Sequence, residues 1–155
     1  VRLREKQKLK RIFGLTEKQF RNNYIKAAKE NGVTGHNLIS NLERRLDNVV
    51  YRLGMLSSRS EARQYVNHGH ILVNGKKVDI PSFIVSLNDR IELKEKIRDN
   101  IRVKSSIESV ARRGVADWLE LNSEKLEGII KRLPNREDFK QPVDEQLIIE
   151  FYSKL

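Results

Sequence analysis

Apolar residues along this chain follow a helical period over its first third and an alternating period after it. Thr16-Glu17-Lys18-Gln19 has the form of a capping box, and Phe20, Tyr24, Ala27 and Ala28 then recur at helical spacing until Asn31-Gly32. Thr34 is placed to cap a second helix, in which Leu38, Leu42, Leu46, Val49, Val50 and Leu53 line one face as far as Gly54. Ser58-Arg59-Ser60-Glu61 repeats the capping-box pattern and predicts a shorter helix with Ala62, Tyr65 and Val66 inward, ended by Asn67-His68-Gly69. Ahead of these, Val1 to Arg11 carries Leu3 and Leu9 too sparsely for a strong apolar stripe, so it reads as a basic, partly helical arm.

From His70 the period drops to two. His70-Ile71-Leu72-Val73 and Lys77-Val78-Asp79-Ile80 flank Asn74-Gly75, a strong hairpin signal, and Pro81 ends the second arm. Phe83-Ile84-Val85 and Arg90-Ile91-Glu92-Leu93, on either side of Asn88-Asp89, predict further short strands. A helix is expected from Ser105 or Ser106 through Val110 and Arg113 to Gly114. Trp118-Leu119-Glu120-Leu121 and Gly128-Ile129-Ile130-Lys131 predict a last hairpin. After Pro134, the tail brings Leu147, Ile148, Phe151 and Tyr152 to an apolar side that needs a surface to cover, as do the N-terminal helices. The pattern is that of an α+β protein. Residues 1–41 with 135–155 are expected to form a helical lobe. Residues 42–134 are expected to form an inserted lobe with a small, mostly antiparallel sheet of four to five strands.

Charge adds a partner to this outline. The 155 residues include 31 Lys+Arg and 21 Asp+Glu, a net +10, while 38% hydrophobic residues still permit a core. Residues 1–40 hold 10 basic and 3 acidic residues, 41–95 hold 9 and 7, and 96–155 hold 12 and 11. Concentrating the excess in the first quarter points to a polyanion, either nucleic acid or an anionic membrane surface. The membrane is disfavoured, because the basic and apolar residues of the first helices do not form one strongly basic amphipathic helix. No apolar run approaches the roughly 18 residues of a spanning helix, and a soluble protein is expected. The absence of cysteine removes disulfides, thiolate zinc sites and cysteine catalysis, and suits a reducing compartment. Val1 in place of a starting Met reads as the mark of a truncated or processed chain.

The candidate chemistry gathers after Ser57. Arg59 and Arg63 are four apart and share a helix face, and the amides at that helix start, with Ser58 as cap, form an expected phosphate site. The following hairpin carries Lys76 and Lys77 toward the same surface. A helix and a β-turn gripping a folded backbone suit structured RNA, which is recognised through shape, phosphates and sugar hydroxyls. Alanine at Arg59 and Arg63 together is therefore expected to weaken RNA binding with little loss of folding. Phe20, Tyr24, Tyr65, Phe83 and Trp118 coincide with apolar faces and read as core rather than as a base-stacking platform.

These residues carry a resemblance. The run from Leu42 to Leu93, above all Ser58-Arg59-Ser60-Glu61-Ala62-Arg63, His70-Ile71-Leu72-Val73-Asn74-Gly75-Lys76 and Val85-Ser86-Leu87-Asn88-Asp89-Arg90-Ile91, resembles the RNA-binding module named after the fourth protein of the small ribosomal subunit. The module is placed at 42–94. Leu3-Arg4-Glu5-Lys6-Gln7-Lys8 and Gln19-Phe20-Arg21-Asn22 before it, with Ser105 to Arg113 and Val143 to Tyr152 after it, resemble the bacterial-type ribosomal protein family itself. That resemblance implies a non-enzymatic protein that binds small-subunit ribosomal RNA directly, nucleates assembly at a multi-helix junction, and contributes to the messenger entry region and decoding accuracy. It implies the third and fifth small-subunit proteins as neighbours, a monomer outside the ribosome, no membrane partner, and a place in cytoplasmic or plastid ribosomes. Some family members repress translation of their own messenger RNA or assist antitermination; no residue here reports on either.

The implied RNA-facing positions are Ser58, Arg59, Arg63, His68, His70, Asn74, Lys76 and Lys77 of the module. A second surface is formed by Arg2, Arg4, Lys6, Lys8, Lys10, Arg11 and Arg21, with Arg44, Arg45, Arg52, Arg112 and Arg113 as additions. The family's extra N-terminal segment, often Cys-bearing and sometimes zinc-binding, precedes the point where this chain begins. No zinc or other cofactor is expected, and RNA affinity is expected to fall below that of the full protein. Two site readings fail on context. Arg45-Leu46-Asp47 matches the core around the catalytic aspartate of pseudouridine synthases, but Leu46 lies in the apolar stripe and no Thr-Ser-Gly follows. His68 and His70 lack a third metal ligand. The alternative function is the RNA-targeting module of an RNA-modifying enzyme or of a stress-related ribosome-binding protein.

Overall fold

The computed structural model describes residues 1–154. Among them, seven α-helices and five strands follow in the order α1 (Arg2–Phe13), α2 (Glu17–Lys29), α3 (Thr34–Glu43), α4 (Leu46–Arg52), α5 (Arg59–Asn67), β1 (Ile71–Val73), β2 (Lys76–Lys77), β3 (Arg90–Leu93), α6 (Ile101–Arg113), β4 (Leu119–Asn122), β5 (Glu127–Ile130) and α7 (Glu145–Ser153). The chain divides into two compact units: residues 1–43 with the chain from Asn135 onward, and residues 44–134. It is an α+β protein.

In the first unit α7 packs on α1 and α3, and α2 packs on α3. The core contains Leu9, Phe13, Phe20, Leu38, Leu42, Ile148 and Tyr152. Thr16 and Gln19 form the expected box: the Thr16 hydroxyl accepts from the Gln19 amide at 3.2 Å and the Gln19 side chain accepts from the Thr16 amide at 3.0 Å. The N-terminal arm differs from expectation by being helical throughout, ended by Gly14 in the left-handed region at φ 67°. Its apolar stripe looked sparse because one member is a lysine. Lys6, Leu9 and Phe13 are the buried residues of α1, and their spacing puts them on one face. The aliphatic stem of Lys6 completes the stripe while its ammonium meets Glu17 at 2.7 Å and lies 4.7 Å from the centre of the Phe151 ring.

The second unit begins where one long helix was expected and is not found. Arg45 is extended (φ −61°, ψ 140°) between α3 and α4, and pairs with Ile84 in an isolated antiparallel bridge. The Leu46 amide donates to the Phe83 carbonyl at 2.8 Å and the Val85 amide to the Arg44 carbonyl at 3.0 Å. Phe83-Ile84-Val85 therefore satisfies the backbone at the helix break instead of entering the sheet. The antiparallel sheet has the order β2-β1-β3-β5-β4, with Ile71 opposite Leu93 and Val73 opposite Ile91. Asn74 and Gly75, at φ 52° and 83°, form the two-residue turn expected of Asn-Gly, although β2 ends after Lys77 rather than reaching Ile80. α6 starts at Ile101, earlier than expected, because Asn100 caps it by accepting from the Arg102 amide at 2.8 Å. Gly54 has φ 78°, and a Cβ there would lie 2.4 Å from Val110, so α6 packs directly on the turn after α4. Trp118 and Phe20 are buried; Tyr24, Tyr65 and Phe83 are half-buried against the two cores.

Candidate nucleic-acid interface

The face shared by Arg59 and Arg63 is turned toward α4. Asp47, 2% exposed, accepts from Arg45 Nε and Nη2 at 3.1 Å each and from Arg63 Nε at 3.1 Å. Arg59 Nε donates to Asn48 Oδ1 at 2.8 Å, and its guanidinium lies 4.6 Å from the centre of the Tyr51 ring. The two arginines expected to face RNA thus also brace α5 against α4. Removing both is expected to loosen this packing, so alanine at the two positions acts on folding as well as on binding.

Ser58 caps α5, its hydroxyl accepting from the Glu61 amide at 3.1 Å. The box is not reciprocal. The Glu61 carboxylate instead accepts from the Ser57 hydroxyl at 2.6 Å and pairs with Arg102 at 3.3 Å. A carboxylate in the first turn complements the helix dipole and lowers the attraction of this helix start for a phosphate. Asn74 is committed too: its amide nitrogen donates to Asp89 at 2.8 Å and its oxygen accepts from the Arg90 amide at 2.9 Å, tying the hairpin turn to β3. Arg44 Nε donates to the Val85 carbonyl at 3.0 Å.

Lys76, Lys77 and His68 remain exposed. The side chain of Lys77 passes Gly69 so closely that a Cβ there would lie 3.1 Å from Lys77 Cδ, which brings the hairpin onto the end of α5. His70 is half-buried, its ring edge-on to Tyr65 (centroids 5.4 Å apart) and to His68 (6.1 Å). Burial, and then the charges of Lys96, His68 and Lys94, hold its imidazole below the ordinary value. Arg112 and Arg113 are exposed in the last turn of α6; Arg113 shares with Tyr51, Ser57, Glu61 and Arg102 the lining of a groove of about 610 Å³ beside the start of α5. Arg52 is half-buried, 6.0 Å from the Tyr51 ring centre. Lys94, Lys96 and Arg102 went unnoticed in the sequence: the two lysines alternate with Glu95 and read as an ordinary solvated run.

The expected second surface lies in the other unit, and only part of it faces outward. Lys6, expected to face RNA, is instead 4% exposed and turned inward to Glu17. Lys10 also pairs with Glu17, Lys8 with Glu5, and Arg2 with Glu150. Arg4, Arg11 and Arg21 are exposed, and among the described residues no carboxylate lies within ion-pair distance of them. Arg4, Lys8 and Arg11 line one face of α1, as their spacing requires. The Lys6 ammonium holds the Glu17 carboxyl below its ordinary value, and burial, followed by the charge of Glu17, raises the Tyr152 hydroxyl.

Residues 1–43 match the family model described as the Ribosomal protein S4/S9 N-terminal domain, and residues 44–91 match the S4 domain. The small ribosomal subunit protein uS4 of Syntrophus aciditrophicus is 56% identical over 154 residues, covering 99% of this chain and 74% of that protein. The chain belongs to the uS4 family. The uS4 proteins of Pelobacter propionicus and Trichlorobacter lovleyi match over the same shares at 56% and 55% identity. The join between the two family matches, at 43/44, coincides with the break between α3 and Arg45. Because the matches extend through both units and not the module alone, they do not support the modifying-enzyme and stress-protein alternatives.

Proposed function

We propose that this chain is a non-enzymatic component of the small ribosomal subunit that binds ribosomal RNA directly, through the α5–hairpin surface of its second unit and the outer cations of its first. The observation that carries this reading is the hairpin. Lys76 and Lys77 stand exposed on a rigid Asn-Gly turn, held against the end of α5, within the domain shared with uS4 proteins. Oriented cations on a fixed scaffold match the phosphate spacing of a folded RNA better than a flexible basic tail would. His68, His70, Arg112 and Arg113 extend the surface, while Arg59 and Arg63 hold α5 in place and present what remains of their charge.

Family membership supports the finer reading: early binding at a multi-helix junction, a position by the messenger entry with the third and fifth proteins as neighbours, and action within cytoplasmic or plastid ribosomes. Filter binding to small-subunit ribosomal RNA at several salt concentrations tests the interface. Replacing Lys76 and Lys77 by alanine is expected to reduce the salt slope by about two, with no change in thermal unfolding. Unchanged affinity and slope would reject the hairpin as a contact. Absence of a discrete protected junction in RNA footprinting would reject the function.

A further inference from the structure

Asparagine followed by glycine occurs twice in this chain, at Asn31-Gly32 and at Asn74-Gly75. In such a pair the side-chain amide carbon is open to attack by the next backbone nitrogen, because glycine brings no Cβ to shield it. The attack needs a side chain free to swing back along the chain and a glycine nitrogen that is not donating elsewhere. The fold treats the two pairs in opposite ways. Asn74 is held at both side-chain atoms: Nδ2 donates to Asp89 at 2.8 Å and Oδ1 accepts from the Arg90 amide at 2.9 Å. Both bonds must break before its Cγ can turn toward Gly75.

Asn31 lies in the turn between α2 and α3, where it and Gly32 are exposed. Among the described residues, the Asn31 side chain makes no hydrogen bond and the Gly32 amide donates to no acceptor. Only the main-chain carbonyl of Asn31 is engaged, accepting from Asn37 Nδ2 at 3.2 Å. The same nitrogen reaches the carbonyls of Ala27 at 3.3 Å and Glu30 at 3.5 Å, and Asn41 Nδ2 donates to the Glu30 carboxylate at 2.6 Å. Helix α3 thus grips the main chain of the turn and leaves the reactive side chain and its nucleophile free. Gly32 sits at φ 106°, which L side chains rarely adopt, so the turn itself requires the residue that makes Asn31 reactive.

We propose that Asn31 is a site of spontaneous covalent modification, converting to isoaspartyl and aspartyl residues and loosening the join between α2 and α3. The Gly32 nitrogen, deprotonated by hydroxide, forms a bond to Asn31 Cγ; the Cγ–Nδ2 bond breaks, and ammonia leaves carrying the displaced proton in net terms. Water then opens the five-membered imide. Opening at the former main-chain carbonyl gives the isoaspartyl residue, and opening at Cγ gives aspartate. Either product places a carboxylate two residues beyond Lys29, at the negative end of the α2 dipole. The isoaspartyl form also routes the main chain through Cγ and displaces the carbonyl that Asn37 holds. The reaction lies in the first unit, needs no partner, and is independent of what the second unit binds.

The test incubates the full chain at mildly alkaline pH and 37 °C and counts the products at both sites by peptide mapping with mass spectrometry. Enzymatic methyl esterification of isoaspartyl carboxylates gives a second readout. Two hydrogen bonds must break first at Asn74 and none at Asn31, so conversion is expected to be about tenfold to a hundredfold faster at Asn31. In urea, where both pairs are released, the two rates are expected to converge. Conversion at Asn31 is expected to quicken as pH rises, because the deprotonated amide is the nucleophile. Asn31→Gln, at an exposed position without side-chain bonds, is expected to remove the product there and to unfold at the same temperature as fresh wild type. Aged wild type is expected to unfold at a lower temperature than fresh, and the aged variant is not. Equal rates at the two sites of the folded chain, or a faster one at Asn74, would overturn the site. Converted wild type that unfolds like fresh protein would overturn the loosening of the α2–α3 join.

Discussion

Asp47 accepts hydrogen bonds from Arg45 and Arg63 at a position only 2% exposed, so one buried carboxylate joins the start of α4 to α5. Removing one partner of a buried ion pair leaves the other charge uncompensated, so Asp47→Ala is expected to cost about 3–5 kcal/mol, read as a lower midpoint in urea unfolding at unchanged slope. A midpoint equal to wild type would show that the two arginines find other partners. The same physics separates binding from folding at Lys6. Its ammonium is buried against Glu17 and Phe151, and Glu17 keeps Lys10 when Lys6 is lost. Lys6→Met, which preserves the stem, is expected to leave the RNA salt slope unchanged and stability within about 1 kcal/mol. A drop of one in the slope would restore Lys6 to the interface. Both residues belong to recognisable sequence patterns, a basic run and an Arg-Leu-Asp triplet. Neither pattern reports the direction in which the side chain points.

Between elements, carboxylates tie the helices of the first unit together. Glu5 accepts from the Asp144 amide at 2.8 Å and pairs with Lys8, which lowers its carboxyl. Glu17 is lowered by Lys6. Burial pushes Glu145 up, but its bond from Arg136 and its backbone bond bring it below the ordinary value overall. Groups whose folded values lie below the ordinary 4.5 stabilise the folded state above that pH, and the contribution is lost as pH falls through the folded values. The melting temperature is therefore expected to hold from pH 7 to about 5 and to fall steadily toward pH 3. The Glu5→Gln, Glu17→Gln variant should start lower and fall less; a melting temperature indifferent to acid in wild type would contradict the scheme. Element by element, the sequence shows what is local. The Thr16 box and the Asn74-Gly75 turn form as their patterns require. The similar box at Ser58 forms only by half, because Glu61 is drawn to Ser57 and to Arg102, 41 positions downstream. The break at Arg45 is hidden for the same reason: Leu42, Leu46 and Val49 stay in phase on either side of it, and its hydrogen-bond partners come from Pro81 to Val85.

For the molecule as a whole, folding redistributes the charge. By position, most of the +10 lies in residues 1–40, yet the first unit also contains Glu43 and the acidic tail. It therefore holds 13 basic and 9 acidic residues, a net +4, while the second unit holds 18 and 12, a net +6. The module-bearing unit is thus the more basic of the two. Electrostatic attraction to RNA is expected to be shared between the units. Arg4→Ala, Arg11→Ala and Arg21→Ala together should lower the salt slope by about three, without altering which nucleotides are protected in footprinting. Loss of the protected junction in that triple variant would show that the first unit selects the site rather than adding general attraction.

The order of periods along the chain, the caps and the turn residues determined by themselves that this is an α+β protein with a basic helix-and-hairpin module, because each depends on neighbours within a few residues. The motifs flanking that module were enough to mark the family. Which cations face outward was decided only by the tertiary structure. Lys6 and Arg45 are drawn inward by carboxylates, Arg59 and Arg63 are turned onto α4, and Lys94 is carried beside His70 by strand pairing. A charge is neutralised or left bare by what lies within a few ångströms of it, and in a folded chain those neighbours are remote in sequence.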